Sequence, residues 1–397
     1  MITMKIQECL TREDILWVQQ TFTKICGKLT AVRERSADKL PAETNDGVHD
    51  DKLTAKGHIG MTKGFWTNGF WAGMLWQMYH ATHDERYAEI ARFTLPVLDG
   101  CLTELDTHDI GFLWLPTAVL DYKITGSAAA RQSGLTAGKW LLGRFNPAGG
   151  FIRAWGGGNE EMALSKTDPK MHLAGVTIID CMMNLPLLYW ASEETGDPRF
   201  YHAAVRHADK AMKHFVREDG SVIHICEFDP NTGNFVGDFG GQGYGKGSSW
   251  TRGQGWGLCG FTASYKHTGK QEYLDTAKKI AAYIIPQLPE NGLIPCDFRQ
   301  PAEPWVQDDI AAGVISSALL DLAELVPEEK DTYLNAALKI LHAVDAESAD
   351  WSPETDHITL SGTAGYHLPG RNKNYVYADY YFVEAMLKLA GKNVSTW

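Results

Sequence analysis

The chain has 397 residues, with 37 basic against 49 acidic side chains and a formal net charge of −12. That balance argues against a nucleic-acid binder or a protein held on an anionic membrane. It leaves room for a small anionic ligand, because screening limits distant charge to about 10 Å at moderate salt.

In chain order, apolar spacing predicts helices at roughly 11–30, 66–82, 84–100, 109–124, 128–144, 181–194, 198–215, 252–267, 270–286, 307–325, 329–345 and 376–391. Residues 1–60 read as an N-terminal helix plus a linker. The charged run Arg33 to Lys39 and the stretch Asp46 to Asp51 are expected to be solvated.

The turns between the helices repeat. Thr82-His83-Asp84-Glu85-Arg86-Tyr87, Thr125-Gly126-Ser127, Thr195-Gly196-Asp197-Pro198-Arg199-Phe200-Tyr201 and Thr268-Gly269-Lys270-Gln271-Glu272-Tyr273 each read as a helix stop followed by a helix start. A fifth, degenerate copy runs from Val326 to Tyr333. Glycine takes the left-handed conformation that closes a helix, and the acid, proline or polar residue after it suits the next first turn. An aromatic then precedes a small or branched apolar residue by one helical turn, as in Tyr87/Ala91, Tyr201/Val205, Tyr273/Ala277 and Tyr333/Ala337. Hairpins repeating about every 60 residues must bury their apolar faces on one another. An all-α, (α/α)6 barrel is expected, one catalytic domain over 1–397 with long loops. Connections 146–178 and 218–250, rich in Gly, Trp, Asp and Asn, are the expected active-site loops.

The seven cysteines (9, 26, 101, 181, 226, 259, 296) are scattered and odd in number, so buried free thiols are expected in place of disulfides or a zinc cluster. Residues Met1 to Cys9 have no apolar signal core, and no run is long enough to span a bilayer. A cytoplasmic protein without a membrane partner is expected. No HExxH, calcium loop or dense His/Cys cluster appears, so neither metal nor cofactor is expected.

Thirteen tryptophans are present, several beside glycine: Trp66, Trp71, Trp155 and Trp256. Core packing accounts for most of them, and a flat indole also stacks on a sugar face. Asp180 lies in the apolar run Gly175 to Pro186, where desolvation would keep its carboxyl protonated for use as a general acid. It equally suits an N-cap. Asp109, in Thr107-His108-Asp109-Ile110-Gly111-Phe112, poses the same choice. Two carboxyls brought close would push their pKa values apart.

Gly240 to Lys246 imitates a phosphate loop, but Gly247 replaces the required Ser or Thr, no apolar strand precedes it and the surroundings are not βαβ, so a nucleotide site is rejected. Asp238-Phe239-Gly240 likewise has no kinase surroundings. What remains is a glycine-rich segment delivering Gln242, Trp250, Arg252 and Gln254. Arg252 suits a bidentate pair with a substrate carboxylate or an internal salt bridge. His224, in an alternating strand-like run, suits structure or catalysis.

Five blocks resemble the unsaturated glucuronyl hydrolases of glycoside hydrolase family 88: Trp66 to Trp76, His108 to Phe112, Ile178 to Trp190, Ser249 to Gly257 and Ala378 to Ala385. The resemblance runs in order from about Trp66 to Leu389. It implies an (α/α)6 barrel acting on oligosaccharides with a 4,5-unsaturated uronic acid at the non-reducing end. It also implies that Asp180 is the proton donor and Asp109 its essential partner, while Trp66, Trp155, His224, Gln242, Trp250 and Arg252 hold the sugars. Asn68 stands where some members carry Asp. Lys373, in Gly370-Arg371-Asn372-Lys373-Asn374, supplies the base of a sulfate-binding segment without its serines.

The implied chemistry is hydration of a vinyl ether. A proton goes to C4, water adds at C5, and the hemiketal opens to expel the next sugar. The alternatives are an unsaturated rhamnogalacturonyl hydrolase, a sugar 2-epimerase and a non-catalytic glycan-binding protein. Nothing in the sequence sets the oligomeric state.

Overall fold

A computed structural model describes residues 5–156, 160–162 and 170–397. Parts of the predicted loop 146–178 therefore lie outside the described residues. The helices are α1 (Arg12–Arg35), α2 (Gly69–Thr82), α3 (Glu85–Ala91), α4 (Thr94–Asp99), α5 (Ile110–Trp114), α6 (Leu120–Thr125), α7 (Ala128–Leu142), α8 (Leu185–Thr195), α9 (Pro198–Phe215), α10 (Thr251–Thr268), α11 (Gln271–Ile284), α12 (Asp309–Leu325), α13 (Lys330–Glu347) and α14 (Val376–Leu389).

The inner helices close a ring: α2 packs on α5, α5 on α8, α8 on α10, α10 on α12, α12 on α14, and α14 back on α2. The other helices clothe it, α3 against α2, α7 against α5 and α8, α9 against α8, α11 against α10, α13 against α12 and α1 against α14. This is the expected (α/α)6 barrel.

The repeating turns explain its regularity. His83, Gly126, Gly196 and Gly269 all hold left-handed backbone at helix C-termini, with φ of 57°, 75°, 69° and 67°. The next helix is capped in turn by Asp84 onto the Arg86 amide, Ser127 onto Ala130 and Asp197 onto Arg199. The degenerate copy departs, because Val326 has no left-handed turn and an extra 3-10 turn, Pro327–Glu329, leads into α13. The recurring aromatics sit between layers: Tyr87, Tyr273 and Tyr333 are buried, and the Tyr273 hydroxyl donates to Asp209 on α9 at 2.7 Å.

Two predicted helices are broken. Residues 84–100 divide into α3 and α4, and 109–124 divides into α5 and α6 around a π-helical turn, Leu115–Val119, that contains Pro116. Proline removes an amide from the helical ladder, and the wider turn absorbs the loss.

The expected linker is only partly solvated: Glu34, Arg35, Asp38 and Asp46 are exposed, but its backbone is tied down. Ser36, Leu40, Ala42 and His49 are buried, and Arg35 pairs with Asp356 at 2.7 Å. The acids of this stretch satisfy backbone amides: Asp50 accepts from Ala42 and Glu43, and Asp51 from Leu40 and Leu53. Their charge looked like a solvated surface in sequence, but these acids brace the backbone of their own stretch.

Beyond the helices, β1 (Val176–Ile178), β2 (Ile225–Phe228) and β3 (Phe235–Phe239) form an antiparallel sheet over the N-terminal ends of the inner helices. None of the seven cysteines is in a disulfide, and five of them are buried.

Gly196 offers a clean test, since a side chain there meets nothing within 4 Å and only the backbone conformation opposes it. Gly196→Ala is expected to lower unfolding stability by about 1 kcal/mol in urea titrations, with catalytic activity unchanged.

Candidate active site

The loops at the N-terminal ends of the inner helices bring Asp109 and Asp180 to one place. Asp109 stands just before α5, yet its side chain caps nothing. Asp180 lies in the 3-10 turn Ile179–Met183, ahead of α8, and is not an N-cap either. The capping explanation fails for both. Asn184 ties the two segments together, accepting from the Phe112 amide at 3.0 Å and donating to the Asp180 carbonyl at 3.3 Å.

Both carboxyls are buried, at 8% and 7% exposure. Burial pushes Asp109 up to about 7, the Thr107 hydroxyl opposing and the charge of Asp180 adding to the rise. Asp109 is thus a carboxyl that burial holds in its protonated form near neutral pH. His108 Nε2 lies 3.4 Å from Asp109 Oδ1, and burial drives this imidazole well below its usual range, so it is neutral.

His224 serves Asp180. Its Nδ1 accepts the Gln242 amide at 3.0 Å, which places the proton of the neutral ring on Nε2, facing Asp180 Oδ2 across 3.5 Å. The ring packs against Trp250, centroids 4.3 Å apart. Gly241 makes the approach possible: its φ is +58°, and a Cβ there would stand 2.1 Å from His224 Nδ1.

Trp66, Asp109 and Trp155 line a cavity of about 230 Å³ with His58, Phe65 and Thr107. Trp66 is half-buried against Phe112 and Tyr377, at 5.3 and 4.9 Å. The buried atoms His108 Nδ1, Asp180 Oδ2, His224 Nε2 and Trp250 Nε1 make no hydrogen bond among the described residues. Polar groups left in that state are costly unless a ligand uses them.

Four of the expected substrate-contact residues have partners within the protein. Arg252 is 1% exposed and makes a buried ion pair with Asp308 at 3.0 Å, and it also donates to the carbonyls of Thr363 and Ala364. Its guanidinium stacks over Trp250 at 4.7 Å, so it builds the wall. Gln254 is fully buried and both ends of its amide bond the backbone of Val222. Asn68 is also fully buried and donates to the carbonyls of Thr62 and Lys63, which accounts for an amide at this position. Lys373 is half-exposed and pairs with Glu43 at 3.3 Å. Gln242 remains partly open, with its amide nitrogen on the Ala364 carbonyl. Among the described residues no cluster of His, Cys, Asp or Glu is arranged to hold a metal ion.

The family model described as Glycosyl Hydrolase Family 88 matches residues 32–264, more than half of the chain. An unsaturated glucuronyl hydrolase of Bacillus sp. (strain GL1) is 36% identical over 343 residues, spanning 84% of this chain and 88% of that protein. The chain belongs to glycosyl hydrolase family 88. It is a glycosidase.

Another family 88 relative, an unsaturated chondroitin disaccharide hydrolase of Streptococcus pneumoniae (strain ATCC BAA-255 / R6), is 32% identical over 340 residues, 81% of each chain. The crystal structure of the Bacillus sp. GL1 unsaturated glucuronyl hydrolase, described as responsible for degradation of glycosaminoglycan, superposes with a TM-score of 0.84. That match has 32% identity and covers 94% of this chain and 96% of the other.

For this family 88 protein, sequence reasoning missed His108, Thr107 and Asp308. His108 and Thr107 stood beside Asp109 in the quoted block, and their polar character next to an acid was the available signal. Asp308 had none, since its partner Arg252 lies 56 residues away.

The raised Asp109 has a consequence for stability. The folded protein holds this proton more tightly than the unfolded chain, so the group's contribution is full below the ordinary carboxyl range and is lost as pH rises to about 7. Asp109→Asn is expected to unfold at a higher temperature than the wild type around pH 8, with the difference fading towards pH 4, as read by calorimetry.

Proposed function

We propose that the protein releases the 4,5-unsaturated uronic acid from the non-reducing end of lyase-generated glycosaminoglycan oligosaccharides of the chondroitin or hyaluronan type. The observation that carries this is the buried Asp109/Asp180 pair, one member of which keeps its proton to about 7, beside a cavity walled by Trp66 and Trp155. The Bacillus unsaturated glucuronyl hydrolase and the pneumococcal unsaturated chondroitin disaccharide hydrolase among its relatives support the substrate class.

The substrate's C4=C5 bond is an enol ether conjugated to a carboxylate. Protonation at C4 leaves positive charge at C5, shared with the ring oxygen. Water adds there, the hemiketal opens, and the next sugar leaves as C1 becomes an aldehyde. One water is consumed. Because the anomeric carbon is never attacked directly, the spacing of the two carboxyls does not set retention or inversion.

Asp180 is the proton donor to C4, passing on the single proton that the Asp109/Asp180 pair shares. Asp109 keeps the pair from carrying two negative charges at neutral pH, and the arriving substrate carboxylate further favours proton uptake by the pair. His224, with Nε2–H towards Asp180, orients the donor and the incoming water. Trp66 and Trp155 offer flat faces to the sugar rings.

The test follows loss of the conjugated uronate's ultraviolet absorbance with unsaturated chondroitin and hyaluronan disaccharides, and an unsaturated rhamnogalacturonan disaccharide beside them. Asp180→Asn is expected to fold and to lose at least about 10²-fold in kcat. Turnover should fall as pH rises past about 7, where the pair loses its proton. Near-normal activity of the variant, or consumption of the pectin-derived disaccharide alone, overturns the assignment.

A further inference from the structure

The catalytic cavity has a neighbour at the same end of the barrel. Between the segment Leu105-Asp106 and the C-terminal end of α7 lies a second cavity, of about 480 Å³, bounded also by Lys139, Trp140, Arg144 and Arg153. Asp106 lines this cavity and the one that holds Trp66, Asp109 and Trp155, so the two share a wall.

Charge distinguishes it from an ordinary surface depression. Arg144 and Arg153 both approach one oxygen of Asp106, Oδ1, at 2.7 and 3.5 Å, so two guanidiniums share a single half-exposed carboxylate. Lys139 adds a third cation, and among the described lining residues Glu104 is the other acid besides Asp106. The Nε of Arg153 is buried without a hydrogen-bond partner among the described residues. A local excess of positive charge in a chain of net charge −12 favours an anionic ligand.

The second feature is aromatic. Trp140 is 38% exposed, and its indole nitrogen donates to the Leu105 carbonyl at 3.4 Å, which fixes the ring at the cavity wall. A held indole beside guanidinium groups suits a ring with one apolar face and an acidic substituent.

We propose that this cavity is a second saccharide subsite, which takes a uronate or sulfated sugar further along the oligosaccharide whose unsaturated end occupies the catalytic cavity. The proposal rests on the functional reading above. Arg153 and Lys139 bind the carboxylate or sulfate, and Trp140 stacks on the ring. Arg144 supports them: its other donors are held by the carbonyls of Arg153 and Ala154.

Steady-state kinetics with an unsaturated disaccharide and an unsaturated tetrasaccharide of the same linkage test this, using wild type, Trp140→Ala and a Lys139→Glu/Arg153→Ala double variant. The wild type is expected to show the lower KM for the tetrasaccharide. Each variant should raise the tetrasaccharide KM by roughly three- to tenfold and leave disaccharide kcat and KM unchanged. Equal effects on both substrates, or none on either, overturn the subsite. If the wild type consumes neither substrate, the functional reading itself fails. Calorimetric titration with a saturated tetrasaccharide then decides the cavity separately: weaker binding by Trp140→Ala supports it, and unchanged or undetectable binding overturns it.

Discussion

Removing a carboxylate from water costs several kcal/mol unless charge or hydrogen bonds replace the solvent, and two carboxylates in one cavity cost more. Asp109 and Asp180 meet that constraint by different means. Asp109 keeps a proton, under a hydroxyl from Thr107 and beside a neutral His108. Asp180 faces an imidazole whose tautomer is set by a backbone amide. The arrangement depends on the inner helices presenting their N-terminal ends to one mouth. It also depends on Asn184 fastening the two acid-bearing segments to each other.

Acids elsewhere around the mouth do a different job. Asp297 accepts the amides of Tyr244 and Ser249 and so folds the glycine-rich loop. Asp308 joins Arg252 to the Thr363 amide, Asp309 accepts from Ser348 and Ser361, and Asp379 accepts from Ile358 and Thr359. Burial pushes Asp308 and Asp379 to about 6, against the charge of Arg252 in the first case and the amides of Thr359 and Ile358 in the second. Long loops without regular structure need backbone partners, and buried carboxylates supply several acceptors each. The same residue type therefore appears here as both reagent and scaffold.

That double use sets the limit of what the sequence could reveal. Hairpin turns are local, so Gly126, Gly196 and Gly269, with the polar helix-starting residues after them, announce the barrel in the sequence. The acids Asp109 and Asp180 were legible as unusual because their neighbours are apolar. What decides whether Arg252 or Gln254 reaches a ligand lies far along the chain, in Asp308 and Val222, and no spacing rule reports such pairs. The break at Leu115–Val119 was missed for a related reason: Pro116 was visible, but its accommodation by a wider turn depends on the ring around it.

The first inner helix packs on the last, and that contact gives the barrel a property an open helical array lacks. Tyr377, on α14, supports Trp66 at the cavity wall, so residues more than 300 apart complete the same surface. Partial versions of the circle therefore present an unfinished pocket however well their individual hairpins fold. The reactive chamber is complete only where the final turn of the ribbon meets the beginning.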